Sequence, residues 1–93
     1  MLNKIKDKLI ESYYKDINNR ILKKFKTNML EDIDFSKYNI IHTYAGKQLV
    51  DNNGDIIMDW SNPTVKEING EYVFEYKIDN EIIRIGRHAS NKL

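Results

Sequence analysis

The stretch EYVFEYKIDNEIIRIGRH, residues 71–88, decides the fold of this chain. Its first half alternates apolar and polar side chains, which is the pattern of a β-strand with one buried face. The pair Asp79-Asn80 then supplies two residues that tolerate the positive φ angles of a tight hairpin turn. A second apolar strand follows the turn. The stretch therefore predicts an antiparallel hairpin that ends in basic residues.

A two-residue turn at Asp79-Asn80 also predicts the register of this hairpin. Counting outward from the turn places a set of apolar side chains on one face: Tyr72, Phe74, Tyr76, Ile78, Ile83 and Ile85. On the other face, Glu75 lies opposite Arg84 and Glu71 lies opposite His88. Opposite charges directly across a ladder stabilise it modestly. Both basic residues therefore have structural partners in this prediction.

The residues before the hairpin carry further strand and turn signals. NIIHTY, residues 39–44, predicts a first strand, and Asn53-Gly54 and Asn69-Gly70 are hairpin turn signals between apolar runs. The Ser61-Asn62-Pro63 segment separates the two hairpins, because proline interrupts a ladder. Together these signals predict an antiparallel β-meander of about five or six strands.

The same counting predicts two further cross-strand neighbours. A turn at Asn69-Gly70 places Val65 opposite Phe74, so that Val65 joins the apolar face. A two-residue turn at Asn53-Gly54 places Trp60 opposite Lys47, a position that allows a cation–π contact. Tryptophan at this position is predicted to be a core or rim residue.

The N-terminal residues predict one amphipathic helix. Apolar side chains recur every three or four positions: Leu2, Ile5, Leu9, Tyr13, Ile17, Ile21 and Phe25. We favour a continuous helix over one that breaks at Asn18-Asn19. Its stripe, including Leu9, Tyr13 and Ile17, is expected to pack on the apolar face of the sheet. The predicted fold is therefore α+β, in a single domain spanning residues 1–93.

Composition narrows the chemistry of the chain. There is no cysteine among the 93 residues, which excludes disulfides, thiolate metal sites and a thiol nucleophile. The formal net charge is +1, with a basic excess in residues 1–28 and an acidic excess in residues 29–93. A dedicated nucleic-acid binder is usually more basic overall. The N-terminus is neither a signal peptide nor a membrane span, so we expect a soluble, cytoplasmic protein without a membrane partner.

Metal and cofactor sites are not predicted. The two histidines, His42 and His88, lie far apart, and no paired-carboxylate spacing is present. The run DNNGD at residues 51–55 resembles the start of a calcium loop, but the chain lacks a glutamate at the twelfth loop position. No glycine-rich phosphate loop and no serine nucleophile elbow occur. We therefore expect neither a metal nor a cofactor.

The remaining reactive side chains suit one kind of catalysis. Metal-independent RNA cleavage requires a base, an acid and cations that stabilise the phosphorane charge. The candidates are Arg84, Arg87 and His88 at the end of the last strand, with His42 and Lys92 as secondary candidates. His42 and Tyr44 alternate with Ile40 along one face, which would place them beside the last strand if the two strands converged.

The stretch TVKEINGEYVFEYKIDNEIIRIGRH, residues 64–88, resembles the last three strands of RelE-type toxin ribonucleases of toxin–antitoxin systems. The shared features are a glycine turn, a strand of the type Tyr-x-hydrophobic-x-Tyr, a short acidic turn and a last strand that runs into basic residues. The resemblance implies a metal-independent endoribonuclease with Arg84, Arg87 and His88 at its catalytic end. Val73 stands where that family usually has arginine.

Two functions of different classes follow from the sequence. The first is a small interaction module or protein inhibitor, of phage or mobile-element origin, that binds a protein or a protein–nucleic-acid complex. Its candidate binding residues are lysines of the basic helical segment: Lys4, Lys8, Lys15 and Lys26. The second is the RelE-like ribonuclease, whose partner is RNA. The balanced charge and the scattered reactive groups favour the first function. They also favour a protein that is not an enzyme. A homodimer formed by edge-strand pairing is a further alternative.

Overall fold

The structure, a computed structural model, describes the backbone of residues 2–88 and the side chains of residues 4–86. Helix α1 (Leu2–Lys24) is followed by two 3₁₀ turns and six strands. The turns and strands are Leu30–Asp32, Phe35–Lys37, β1 (Tyr38–His42), β2 (Gly46–Asp51), β3 (Ile56–Ser61), β4 (Thr64–Ile68), β5 (Glu71–Ile78) and β6 (Glu81–His88). All strand pairs are antiparallel within one sheet. The predicted α+β fold, with a helix on an antiparallel sheet, is confirmed.

Helix α1 is continuous through Asn18 and Asn19, as predicted. Its buried side chains recur at every fourth position: Ile5, Leu9, Tyr13, Ile17 and Ile21. A step of four slightly exceeds the 3.6-residue turn, so the buried stripe drifts around the helix axis. The helix contacts both β5 and β6 along this drifting stripe.

The end of α1 is a Schellman motif. The Thr27 N–H donates to the Leu22 carbonyl at 3.0 Å, and the Lys26 N–H donates to the Lys23 carbonyl at 3.2 Å. Lys26 has a φ of 55°, the left-handed conformation that this motif requires. Lys26 therefore lies beyond the helix and turns the chain toward the first 3₁₀ turn.

The hairpin between β5 and β6 has the predicted register. Asp79 and Asn80 have φ angles of 47° and 71°, as a type I′ turn requires at both central residues. Ile78 pairs with Glu81, and the pairing continues without a shift to the end of β6. The turn at Asn69-Gly70 has the same left-handed geometry, and Val65 lies opposite Phe74 as expected.

The turn between β2 and β3 differs from its prediction. The Asp51 N–H donates to the Asp55 carbonyl at 2.9 Å, which closes a loop of residues 52–54 in place of the two-residue turn. The Asp51 carboxylate accepts bonds from the Asn53 and Asp55 N–H groups, both at 2.9 Å, and so stabilises the longer loop. A bulge at Leu49/Val50 then shifts the register by one residue. Lys47 therefore still lies opposite Trp60.

Strands β3 and β4 lie one after the other along the same edge of β5. Trp60 of β3 pairs with Ile78, and Thr64 of β4 pairs with Glu75, while β6 occupies the opposite edge. Pro63 lies between the two strands and has no N–H to donate, so the ladder is interrupted there. The sheet is thus two antiparallel meanders, β1–β2–β3 and β4–β5–β6, joined through β5.

Tyr13 is at the centre of the core between α1 and the sheet. Its ring meets Phe74 edge-on at 5.6 Å and Tyr76 at 4.6 Å between centroids. Its hydroxyl donates to the Ser61 carbonyl at 3.2 Å. The buried cluster comprises Ile5, Leu9, Tyr13, Ile17, Ile21, Ile33, Leu49, Met58, Trp60, Phe74, Tyr76 and Ile78. Val65 lies opposite Phe74 as predicted, but it stays 39% exposed and is not part of this buried cluster.

Replacing Phe74 by alanine tests the assignment of the buried face. Phe74 is 2% exposed, so Phe74→Ala should lower the free energy of unfolding by about 3–5 kcal/mol through lost burial and a cavity. Urea denaturation measures the change. Ile82→Ala is the control, because Ile82 is 57% exposed and should change stability by less than about 0.5 kcal/mol. A Phe74→Ala loss below about 1 kcal/mol would contradict the assignment.

Asn80 tests the geometry of the β5–β6 turn. Asn80→Gly should raise the free energy of unfolding by up to about 1 kcal/mol, because glycine adopts a positive φ without a steric penalty. Asn80→Val should lower it by at least about 1 kcal/mol, because a β-branched side chain is strained in that conformation. Urea denaturation of the two variants gives both values. Equal stabilities would rule out a left-handed residue at this position.

Candidate functional site

Arg84 is engaged in a charge ladder on the sheet face opposite α1. Its Nε lies 2.9 Å from one oxygen of Glu75, and the Lys66 Nζ lies 2.7 Å from the other. The hydrogen bonds from Lys66 and Arg84 hold the pKa of the Glu75 carboxyl below its usual value. The predicted pairing of Glu75 with Arg84 is confirmed, with Lys66 of β4 as an additional partner.

The other terminal candidates are described only in part. The backbones of Arg87 and His88 lie at the end of β6, where they pair with Tyr72 and Glu71 in the predicted register. The side chains of Arg87 and His88 fall outside the described set, and Lys92 lies outside the described residues. Their catalytic assignment stays a prediction.

His42 is not brought beside the end of β6. It is exposed at the end of β1, opposite Lys47, and strands β2, β3 and β5 lie between β1 and β6 in the strand order. Tyr44 lies in the turn after β1 and is fully exposed, so it does not share a strand face with His42. The convergence of these residues with Arg84 is therefore not observed. The meander order separates the first strand from the last.

The four lysines predicted to bind a partner are all exposed. Lys4, Lys8 and Lys15 lie on α1, but Lys26 lies beyond the helix and does not continue their surface. Asp7 and Glu11 occupy positions three or four residues from these helical lysines, so acidic groups share the same surface. The helix therefore presents mixed charge in place of a uniformly basic face.

A groove lies between the first half of α1 and the break between β3 and β4. It has a volume of about 390 Å³ and is lined by Lys6, Ile10, Tyr13, Tyr14, Lys47, Asn62, Pro63, Val65 and Phe74. The segment between β3 and β4 forms one wall of the groove. It is held in place by the Asn62 N–H, which donates to the Ala45 carbonyl at 3.0 Å. The floor is aromatic and aliphatic. We call this surface the helix–sheet groove.

Two cations and a half-exposed tyrosine border the helix–sheet groove. Tyr14 is 51% exposed, and its ring meets Tyr13 at 5.1 Å. The Lys47 Nζ lies 5.9 Å from the Tyr14 ring centroid, within cation–π range. Lys6 is the second cation, and none of the described side chains that line the groove is acidic. Lys47 thus lies opposite Trp60 as predicted, and its cation–π contact is with the Tyr14 ring.

The position of Lys47 depends on a close approach of two strands. A Cβ at Gly46 would lie 2.1 Å from the Trp60 carbonyl oxygen, so only glycine fits there. The sequence analysis did not identify Gly46, Lys6 or Tyr14 as parts of a site. The one sequence feature that points to this site is a glycine, Gly46, before a lysine that lies opposite Trp60. This feature can be recognised only when the strand register is known.

Tyr13 is a hydrogen-bond donor in this site. Burial raises the pKa of its hydroxyl to about 12, and neighbouring Tyr14 adds to the rise. The Trp60 indole N–H lowers the pKa slightly, although it makes no hydrogen bond of regular geometry. The hydroxyl therefore stays protonated near neutral pH and donates to Ser61. Among the described residues, the lining of the groove thus contains lysine and tyrosine side chains but no carboxylate or imidazole base.

Two hydrogen bonds between Asp59 and Asp79 link the β5–β6 turn to β3. The Asp59 N–H donates to the Asp79 carboxylate and the Asp79 N–H donates to the Asp59 carbonyl, both at 3.0 Å. A hydrogen bond between the two carboxyl groups, with burial, raises the pKa of Asp59. Burial would raise the pKa of Asp79, but hydrogen bonds from Asp59 and Lys24 lower it. When Asp59 is protonated it shares its proton with Asp79, so the pKa of Asp59 lies above its usual value and the pKa of Asp79 lies below its own.

Asp59→Asn tests this shared proton. The pKa of Asp59 is raised in the folded protein from its usual value of 3.8. Protonated Asp59 therefore stabilises the folded state fully at a pH below 3.8, and this stabilisation is lost as the pH rises through the raised pKa. An amide cannot ionise and still donates to Asp79. Asp59→Asn should therefore raise stability at pH 7, by less than about 1 kcal/mol at this exposed site. The gain should shrink as the pH falls toward 3.8.

The measurement is chemical denaturation of wild type and variant across this pH range. Glu67→Gln is the matched control, because it removes an exposed carboxyl group outside the pair. A gain that is the same at every pH, or one that Glu67→Gln reproduces, would contradict the shared proton.

The described part of the chain shows no metal site and no membrane span. Its side chains include no group of three or more histidine, aspartate or glutamate residues able to hold a metal ion. No described helix is long and apolar enough to cross a bilayer. Comparison with known proteins finds no family model that matches the chain, and no curated protein or solved structure with significant similarity. The resemblance of residues 64–88 to RelE-type ribonucleases stays a prediction.

Proposed function

We propose that this protein is a small interaction module that acts by binding a macromolecular partner through the helix–sheet groove. The observation that carries the proposal is the combination of an apolar floor, a half-exposed Tyr14 and two lysines, with no acidic side chain among the described residues that line the groove. Exposed tyrosine beside apolar surface is typical of interface anchors. An inhibitor of a larger protein is included in this proposal.

The chemistry of the groove favours an acidic segment with an apolar anchor. Val65 and Phe74 offer apolar contact, and Tyr14 offers a ring face. Lys6 and Lys47 border this surface and would attract a carboxylate on the incoming segment. A volume of about 390 Å³ accommodates one or two side chains rather than a whole domain. The partner would therefore insert a short part of its chain.

The distribution of charged groups supports binding over catalysis. Arg84 is paired with Glu75, and Arg20 lies 2.9 Å from Asp16 and 3.1 Å from Glu81. These ion pairs join strands to one another and to α1. The two lysines of the groove belong to no ion pair among those resolved for the described side chains. They are therefore available to a partner.

Photo-cross-linking identifies the partner and tests the surface together. A photoreactive phenylalanine analogue at Tyr14 should cross-link the partner in the native host, and one at exposed Asn53 should not. With the purified partner, Tyr14→Ala and Lys47→Glu should each weaken binding about tenfold or more, as for interface anchors. Isothermal titration calorimetry gives the dissociation constants.

Lys15→Glu is the matched control for Lys47→Glu. Lys15 is an exposed helical lysine, and it lies about half a turn around α1 from Tyr13. A loss of binding with Lys15→Glu, and none with Lys47→Glu, would assign binding to the helical lysines and overturn the groove proposal. Growth arrest with RNA cleavage on expression, abolished by Arg84→Ala or His88→Ala, would instead establish the ribonuclease.

A further inference from the structure

Strand β1 is an edge strand that is exposed along almost its whole length. It pairs only with β2 among the described strands. Ile40 is 54% exposed and Ile41 is 46% exposed, and adjacent strand residues point to opposite faces. Tyr38 is held by its ring contact with Phe25 at 5.0 Å. An apolar strand is thus held in place with both of its faces open.

The hydrogen-bond pattern shows which backbone groups point outward. The Thr43 N–H donates to the Gly46 carbonyl at 2.7 Å, so these residues form a hydrogen-bonded pair. Bonded and non-bonded pairs alternate along an antiparallel ladder. The N–H and carbonyl groups of Ile40 and His42 therefore face away from β2, together with the carbonyl of Tyr38. The Tyr38 N–H bonds to the Phe35 carbonyl.

The outer edges of β4 and β6 carry the charges that usually prevent strand addition. Strand β4 includes Lys66 and Glu67 and begins after Pro63. Strand β6 presents exposed Arg84. Charged residues and proline are the usual protection of sheet edges. Strand β1 has the sequence YNIIH and contains no acidic residue, lysine, arginine or proline, so it lacks these protections.

We propose that a second copy of this chain occupies this edge, with β1 pairing antiparallel to its own copy about a two-fold axis at Ile40. In this register Ile40 lies opposite Ile40 of the second copy, and Tyr38 of each copy lies opposite His42 of the other. The outward groups form four backbone hydrogen bonds, two between the Ile40 residues and two from the His42 N–H groups to the Tyr38 carbonyls.

The self-complementary sequence favours a second copy over an unrelated strand. The register brings an aliphatic side chain against itself and an aromatic ring against an imidazole, and it opposes no like charges. Such an isologous contact closes as a dimer and leaves no edge for further addition. Strand β1 shares no residue with the helix–sheet groove, so the dimer does not depend on the groove proposal.

Sedimentation equilibrium of the full chain over a concentration series tests the dimer. Wild type should have twice the 11.1 kDa monomer mass, and Ile40→Lys should raise the dimer dissociation constant at least about tenfold. Ile82→Lys is the matched control, because it adds the same charge to an exposed isoleucine on the β6 edge. A monomeric wild type, or equal loss in both variants, would overturn the proposal. Circular dichroism checks that each variant is folded.

Cysteine cross-linking tests the register, since the native chain has no cysteine. In the proposed dimer the two Ile40 Cα atoms are about 5.5 Å apart, within disulfide range. Ile40→Cys should therefore form a disulfide dimer rapidly. The Ile41 Cα atoms are roughly 8 Å apart, so Ile41→Cys should react much more slowly. Equal rates, or faster reaction of Ile41→Cys, would overturn pairing about Ile40.

Discussion

The type I′ turn at Asp79-Asn80 is the constraint on which the rest of the structure depends. Two consecutive left-handed residues bring β6 back against β5 without a register shift. This register directs Phe74 and Tyr76 toward α1 and Glu75 toward Arg84 on the other face. A shift of one residue would exchange the two faces. The same turn contacts β3 through Asp59 and α1 through Lys24.

The second determinant is the interruption of the sheet at Pro63. Without it, β3 and β4 would form one long strand along β5. The break separates them and leaves a recess that the side chains of α1 do not fill. The groove thus originates from a local defect in the ladder, and its cations come from two elements that are distant in sequence, Lys6 on α1 and Lys47 on β2.

Charged and hydroxyl groups serve mainly to attach elements to one another. The Tyr76 hydroxyl donates to Asp16, whose carboxylate also accepts from Arg20, and Arg20 reaches Glu81 on β6. Burial and this hydrogen bond raise the pKa of Tyr76. Such networks use side chains that would otherwise be candidates for catalysis. The groove and the outer edge of β1 remain open surfaces.

Much of the local structure was predictable from sequence. The period of the N-terminal apolar residues predicted one helix, and the turn residues Asn69-Gly70 and Asp79-Asn80 predicted two hairpins with their registers. The pairing of Glu75 with Arg84 followed by counting. These features depend on neighbours along the chain or on residues a few positions across a tight turn. Turn stereochemistry and side-chain alternation are therefore enough to specify them.

The arrangement of these elements required the tertiary structure. Counting across Asn53-Gly54 gave the correct partner for Trp60 only because a longer loop and a bulge compensate. Pattern alone does not reveal that β3 and β4 share one edge of β5, nor that His42 lies far along the sheet from β6. The sequence determined the helix and the turns and pairing of the β4–β5 and β5–β6 hairpins. Only packing between distant segments decided the strand order, the groove and the exposed edge, because those depend on contacts that no local pattern encodes.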